Sequence, residues 1–254
     1  MNKESAMRPT APRDLNELRE DIQRLERKGR HDSSSAALPL GVKEIDRRLP
    51  GGGLRLAGLH ELWPAWQEGD EGVATGFLLA LSARLLARHP GTLLWVSRAD
   101  DLYAPAAALA GVPPGRLLRA RARRPEDLLW ALEQGLQCHE LAGVAGEVAG
   151  IDPVAARRLQ LAAEKAGRPC FLLQRCGRSK RPTAGSPAVT RWRIGGLPSD
   201  PILPRGLVGR ARWRLELLRC RGGQPAAFEV EWNDATGALA LAAPLCGGKT
   251  AAIA

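Results

Sequence analysis

The feature that most constrains the fold is a regular alternation of short apolar runs with longer amphipathic segments between residues 58 and 174. The short runs predict buried strands, and the longer segments predict helices, three of which have a proline in or near their first turn. Strands joined in this way favour an α/β fold with a mainly parallel sheet and helices on both faces. The predicted strands span 58–63, 92–97, 116–122, 141–148 and 169–174, and the predicted helices span 77–89, 103–110, 125–138 and 153–166.

The C-terminal third of the chain has a different period. Apolar residues alternate with charged ones in two neighbouring runs, which is typical of antiparallel strands with one buried face. A turn at Gly222-Gly223 predicts a hairpin that places Trp213 opposite Trp232. The stretch 236–243, TGALALAA, predicts one more strand after this hairpin.

The first 37 residues are set apart from this body. Residues 14–28 carry an apolar stripe at helical spacing, and the Ser-containing segment 29–37 is interpreted as a linker. One stripe on a short charged helix must dock on another copy of the chain, on a partner or on the chain's own core. We therefore divide the chain into an arm with its linker at 1–37, a core at 38–243 and a tail at 244–254. The candidate partner-binding residues are Leu15, Leu18, Ile22 and Leu25.

The chain is basic, with a net charge of +10 and a pI of about 10.1. Positive charge favours a polyanionic partner such as nucleic acid. However, 31 arginines stand against 6 lysines, a ratio that GC-rich coding would also produce, so the charge alone leaves DNA binding open. The sequence has no apolar run long enough to span a membrane, no export signal at its start and no CxxC pair among five cysteines, which predicts a cytoplasmic protein.

A glycine-bearing loop lies between an apolar run and a long helix at 61–81, ELWPAWQEGDEGVATGFLLAL. Together with the preceding LPLGVKEIDRRLPGGGLRLAGLHEL, it resembles the start of the recombinase A (RecA) core. Further stretches resemble that family in the same order, namely WVSRADDLYAPAAALAGVPPGRLL, RPEDLLWALEQGL, FLLQ, ARWRLELL and FEVEW. The resemblance covers about 38–243 and implies a RecA-like core, with C-terminal antiparallel strands, in which the loop would hold the phosphates of ATP.

The residues that such a site needs are missing or altered. A phosphate loop uses backbone N–H groups, a lysine, and a Ser or Thr that holds Mg²⁺. If Thr75 takes the Thr position, Ala74 stands where the lysine belongs, and the loop carries carboxylates that would repel a triphosphate. By the resemblance, Glu147 is the carboxylate nearest to the metal-binding position, and Gln174 matches the residue that senses the γ-phosphate. We therefore predict a pseudo-ATPase with no catalytic residue, no bound nucleotide, no cofactor and no metal.

A RecA-like core without the lysine, preceded by a short helical arm, resembles the ImuA-type proteins, also in LHEL, GVATGFLLALSARLL and ARRLQLAAEKAG. This resemblance implies a non-catalytic accessory protein of SOS-induced, error-prone translesion DNA synthesis in bacteria, acting as an adaptor. The implied partners are an ImuB-type homologue of Y-family polymerases and an error-prone replicative-type polymerase, with RecA as a further option. Two alternatives stay open: a DNA-stimulated ATPase of the RecA superfamily with an unusual phosphate loop, and an SOS-induced cell-division inhibitor.

The segment 175–187, RCGRSKRPTAGSP, falls where RecA has its second DNA-binding loop. Cations among Gly, Ser and Pro can follow a phosphate backbone without sequence preference, so weak, non-specific DNA binding is one interpretation and a solvated basic loop is the other. A second basic run at 116–124 is interpreted as solvated surface. The DNA-binding candidates are Arg175, Arg178, Lys180 and Arg181.

Overall fold

A computed structural model of the chain describes residues 37–65, 69–175, 185–199, 209–233 and 236–243. The described strands are β1 (Ala37–Leu38), β2 (Leu54–Arg55), β3 (Gly58–Pro64), β4 (Thr92–Ser97), β5 (Leu117–Arg121), β6 (Leu141–Val148), β7 (Pro169–Gln174), β8 (Thr190–Leu197), β9 (Arg212–Cys220), β10 (Ala226–Asn233) and β11 (Ala238–Leu241). The described helices are α1 (Lys43–Asp46), α2 (Asp70–Arg88), α3 (Ala104–Leu109), α4 (Pro125–Gln137) and α5 (Pro153–Ala166), with a short 3-10 turn at Pro114–Arg116.

Nine of the described strands form one mixed sheet in the order β11-β10-β9-β8-β3-β7-β6-β4-β5. The six strands from β8 to β5 in this order are parallel. From β8 outward, β9, β10 and β11 add antiparallel neighbours, while β1 and β2 pair separately. The predicted α/β, RecA-like core with C-terminal antiparallel strands is therefore confirmed.

The helices cover the two faces of the sheet with two separate hydrophobic clusters. On one face, α2 and α3 pack against the sheet through residues that include Phe77 and Ala107, around the buried Trp95 and Trp192. On the other face, α4 and α5 pack through residues that include Leu132. Burial of each large apolar side chain contributes roughly 1.5–3 kcal/mol, so both faces of the parallel strands are firmly held.

Helix α2 begins at Asp70, seven residues before the predicted start at 77. Its C-terminal end is capped by Arg116, which donates hydrogen bonds to the carbonyl oxygens of Leu86, His89 and Gly91 at 2.6–2.7 Å. Arg116 belongs to the basic run that was interpreted as solvated surface, but it is half-buried and satisfies carbonyl groups that the helix leaves without partners. The prediction was wrong for this one arginine.

Strand β8 was absent from the predicted elements, and the hairpin that follows has a shifted register. Trp213 lies opposite Val230, two residues away from the predicted partner Trp232. The pairing of Leu217 with Ala226 centres the turn one residue earlier than the predicted pairing does, and Gly222 in this turn has a positive φ of 78°. The two tryptophans still stack, with ring centroids 5.8 Å apart, because a shift of two residues keeps both on the same face.

The other predicted elements lie within two residues of the bounds in the structure. The predicted arm and tail fall outside the described residues, apart from Ala37, which belongs to β1. The division of the chain into arm, core and tail therefore stays a prediction. The same holds for the partner-binding candidates Leu15, Leu18, Ile22 and Leu25.

Candidate functional site

The candidate site is the carboxyl edge of the parallel strands, where α2 begins after β3. In a parallel α/β sheet this edge is where ligands bind, and a helix N-terminus there attracts anions. Gly69 precedes the helix with a positive φ of 89°, and residues 66–68 lie outside the described part.

The first residue of α2 is itself an anion. Asp70 is 3% exposed, and its Oδ1 accepts a hydrogen bond from the backbone N–H of Gly196 at 2.8 Å. Its carboxylate therefore lies where the partial positive charge of the helix N-terminus is greatest. Gly195 and Gly196 allow this approach, because a Cβ at Gly195 would lie 3.0 Å from the Ala65 Cβ and 3.6 Å from the Asp70 Oδ1.

The two residues in the lysine and Ser/Thr positions cannot play those parts as they are placed. Ala74 is completely buried in the core, one turn inside α2. Thr75 is half-buried, and its hydroxyl donates to the carbonyl oxygen of Glu71 at 2.9 Å, a bond within the helix. Ala74 has no polar group that could bind a phosphate, and the hydroxyl of Thr75 is used within the helix.

A guanidinium lies among the carboxylates of the would-be metal position. Arg175 follows β7, and its Nε lies 2.6 Å from the Oε2 of Glu147 at the end of β6. Its Nη1 lies 3.7 Å from carboxylate oxygens of Glu71 and Asp101. Glu147 also accepts a hydrogen bond from the Trp95 indole at 2.9 Å. The chain thus places a cation of its own beside the carboxylate that the resemblance to RecA puts nearest to the metal-binding position.

A second buried ion pair, missed by the sequence analysis, joins β3 to β8. Glu61 is 2% exposed, and its Oε2 lies 2.8 Å from the Nε of Arg191. Its other oxygen accepts a hydrogen bond from Ser186, and the Arg191 guanidinium lies 5.9 Å from the centroid of the Trp63 ring. The available signal was a carboxylate inside the apolar run LHELW.

Comparison with known proteins decides the family. No family model matches the chain. The chain is 38% identical to Protein ImuA of Caulobacter vibrioides over 205 residues, which cover 78% of this chain and 84% of that relative. The same protein from a second strain matches equally.

The chain belongs to the ImuA family.

The two remaining nucleotide-site positions of this ImuA-family chain differ in burial, since Gln174 is buried and Asp100 is exposed. Gln174 is 1% exposed at the end of β7, beside the residue that pairs with Glu147. Asp100, one step from the position of the catalytic carboxylate, forms an ion pair with Arg119. None of the helices described in the structure is long and apolar enough to cross a membrane.

Of the four DNA-binding candidates in this ImuA-family protein, the structure describes one. Arg175 is directed toward Glu71, Asp101 and Glu147 rather than away from the body. Arg178, Lys180 and Arg181 lie outside the described residues. A DNA contact by any of the four stays a prediction.

Replacing Glu147 by glutamine is expected to change how the stability of the ImuA-family protein depends on pH. Burial raises the pKa of Glu147 above its usual 4.5, while Arg175 and the Trp95 hydrogen bond act in the opposite direction. A carboxyl with a raised pKa stabilises the folded state fully below 4.5, and this contribution is lost as pH rises through the raised value. The wild type should therefore lose stability relative to Glu147→Gln as pH rises from 4.5, in urea denaturation at a series of pH values.

Arg175→Met serves as the opposite change in this pH series. It removes the cation that lowers the pKa of Glu147, so the loss of stability should extend to higher pH than in the wild type. Each unit of additional pKa shift corresponds to about 1.4 kcal/mol. Parallel curves for the wild type and Glu147→Gln from pH 4.5 to neutrality would contradict a raised pKa.

Proposed function

We propose that this ImuA-family protein is a non-catalytic accessory protein of SOS-induced, error-prone translesion DNA synthesis, and that it acts as an adaptor within a mutagenic polymerase complex. Support for the coarser part, a role in DNA damage-induced mutagenesis, comes from membership of the ImuA family. The proposed partners are an ImuB-type homologue of Y-family polymerases and an error-prone replicative-type polymerase. RecA is a further proposed partner.

The observation that carries the non-catalytic part is the placement of Asp70. A carboxylate at the first residue of α2, held by the N–H of Gly196, adds a negative charge beside the helix N-terminus where a phosphate would have to bind. Arg175 adds to this effect, because it pairs with Glu147 where Mg²⁺ would be bound. An adaptor of this kind acts by contact, so its essential residues are those of surfaces rather than of a pocket.

Co-purification from cells tests the adaptor proposal. The chain is co-expressed with an ImuB-type protein, and we compare the wild type with Leu18→Asp plus Ile22→Asp in the predicted arm. A charged group on the apolar stripe should abolish association while the melting temperature of the core changes little. Asn16→Asp plus Gln23→Asp introduces the same charge beside the stripe and should leave association intact.

ATP turnover tests the pseudo-ATPase proposal separately. Purified protein is incubated with ATP and Mg²⁺, with and without single-stranded DNA, and phosphate release is measured. We expect no release above the background in either case. Micromolar ATP affinity with DNA-stimulated turnover would instead favour the ATPase alternative. In the co-purification, recovery of the division GTPase without any polymerase subunit would favour a cell-division inhibitor.

A further inference from the structure

A crevice opens at the carboxyl edge of the sheet between β4 and β6, on the other side of β7 from β3. The two strands are neighbours, but their following helices lie on opposite faces: α3 belongs to one hydrophobic cluster, and α5 belongs to the other. Their connections therefore turn away from each other. In open α/β sheets, such a point of divergence is the preferred place for a ligand.

The crevice contains a cavity of about 130 Å³. At roughly 30 Å³ per molecule of liquid water, this space corresponds to about four waters, enough for one ring-sized group. Its inner wall is mostly apolar, with the buried Ala122, Leu128 and Val148, and it also includes the buried Glu147. Ala149 and Gly150 form an exposed lip after β6.

Three arginines surround the cavity: Arg98 after β4, and Arg123 and Arg124 between β5 and α4. All three are exposed, and their guanidinium groups form no hydrogen bond or ion pair with any residue that the structure describes. Nearby arginines differ in this respect, since Arg119 pairs with Asp100 and Arg175 pairs with Glu147. The three cations at the crevice are thus available to an external anion.

The charge on this edge of the sheet is divided between two places. Around the start of α2, the exposed carboxylates of Glu71 and Asp101 and the buried carboxylate of Asp70 outnumber the one cation that the structure describes among them, Arg175, so this region repels phosphate. Around the crevice, Arg121 adds a fourth cation to the three arginines. The neighbouring carboxylates are Glu126 and Asp127 in the first turn of α4 and Glu147 in the cavity wall, which pairs with Arg175. Four cations and three carboxylates leave the crevice net positive, so an anion is directed there and not to the nucleotide position.

We propose that this crevice binds single-stranded DNA, with phosphates on Arg98, Arg123 and Arg124 and one base in the cavity. Several cations match a chain of phosphates better than they match one carboxylate. A base can enter a cavity of this size only when it is unpaired, which favours a single strand over a duplex. The choice of DNA rests on the proposed function, whereas the assignment of a phosphate-binding crevice rests on the geometry alone.

The first experiment measures binding of a labelled oligo-dT strand by fluorescence anisotropy at several salt concentrations. Each phosphate contact on a single strand contributes about 0.7 to the slope of log affinity against log salt. Arg98→Gln, Arg123→Gln and Arg124→Gln together should therefore lower the slope by about 2 and weaken binding about tenfold or more at 0.1 M salt. The melting temperature of the variant should match the wild type, because all three side chains are exposed.

The matched control is Arg47→Gln, Arg48→Gln and Arg157→Gln, three exposed arginines in other elements of the chain. This variant loses the same net charge and should keep the salt slope of the wild type. An equal loss in both variants would show that only the overall charge matters, and it would overturn the crevice as a site.

Three further binding measurements identify the ligand. Ala149→Trp, at the exposed lip, should weaken binding of oligo-dT but not of an abasic strand with the same phosphates. If this variant and the wild type bind oligo-dT equally, the cavity does not hold a base. If the triple variant loses binding of dTTP or inorganic phosphate while it binds the strand as the wild type does, that result would assign the crevice to a free phosphate. Equal competition by a poly-glutamate peptide would assign it to an acidic protein segment.

These results are independent of the co-purification test. A chain that associates with its polymerase partner but shows no crevice-dependent DNA binding would refute only the DNA site. A chain that binds DNA through the three arginines but associates with no polymerase subunit would refute only the adaptor function.

Discussion

Replacing Ala74 by lysine is expected to destabilise the protein by about 3 kcal/mol or more instead of restoring a nucleotide site. Ala74 is completely buried and packs in the same cluster as Phe77 and Trp192. A lysine at this position adds a long side chain to a filled core and removes an ammonium group from water. Urea denaturation followed by tryptophan fluorescence measures the loss, and equilibrium dialysis against ATP and Mg²⁺ should detect no binding.

Two control variants separate the causes of this loss. Ala74→Met adds a chain of similar length without charge, so the difference between the two variants isolates the burial of the ammonium group. Thr75→Lys places the same charge one residue later, at a half-buried position, and should cost much less. A lysine at 74 that left stability unchanged and bound ATP at micromolar concentration would contradict both the burial of this position and the pseudo-ATPase proposal.

The sequence predicted the parallel strands well because their signal is local. Strands β4, β6 and β7 are apolar runs bounded by turn residues, and burial on both faces requires that composition. The start of α2 could not be found in this way, since DEGVATG contains carboxylates and glycines without an apolar period. Its first turn is held by the hydrogen bond from Gly196 to Asp70, across 126 residues of sequence.

Strand β8 and the hairpin register show the same limit. Adjacent glycines weaken the signal of a strand, and here Gly195 and Gly196 are present because α2 approaches closely. The alternation of residues in β9 and β10 fixed which face is buried, but it is satisfied by any register shifted by two. The length of the connecting loop decided between these registers, and Gly222-Gly223 alone did not define that length.

The nucleotide position could also be predicted only in part from the sequence. The absence of a lysine before Thr75 could be predicted from the sequence, because the resemblance fixes where the lysine belongs. The groups that replace the ligand could not be predicted, because Asp70 with Gly196 and Arg175 with Glu147 are pairs that only the folded sheet brings together. Arg123 and Arg124 of the crevice were interpreted as solvated surface, since no sequence rule separates an unpaired arginine from a paired one.

Replacing Glu61 by alanine is expected to lower the free energy of unfolding by about 3–5 kcal/mol. The substitution removes the carboxylate that faces the buried guanidinium of Arg191, and it leaves a cavity between β3 and β8. It also removes the acceptor for Ser186, close to the end of the segment that carries the predicted DNA-binding loop. Urea denaturation at neutral pH measures the change, with hydrogen exchange of β3 and β8 amides as a local readout.

Glu216→Ala is the matched control, because Glu216 pairs with Arg193 on the next strand of the same sheet but is half-buried. Partly hydrated ion pairs contribute about 0.2–1 kcal/mol, so this variant should lose far less. Replacing both Glu61 and Arg191 by leucine should recover much of the loss, since an apolar pair leaves no charge in the interior. A loss for Glu61→Ala no larger than that for Glu216→Ala would show that water screens the Glu61–Arg191 pair and that this pair adds little to the pairing of β3 with β8.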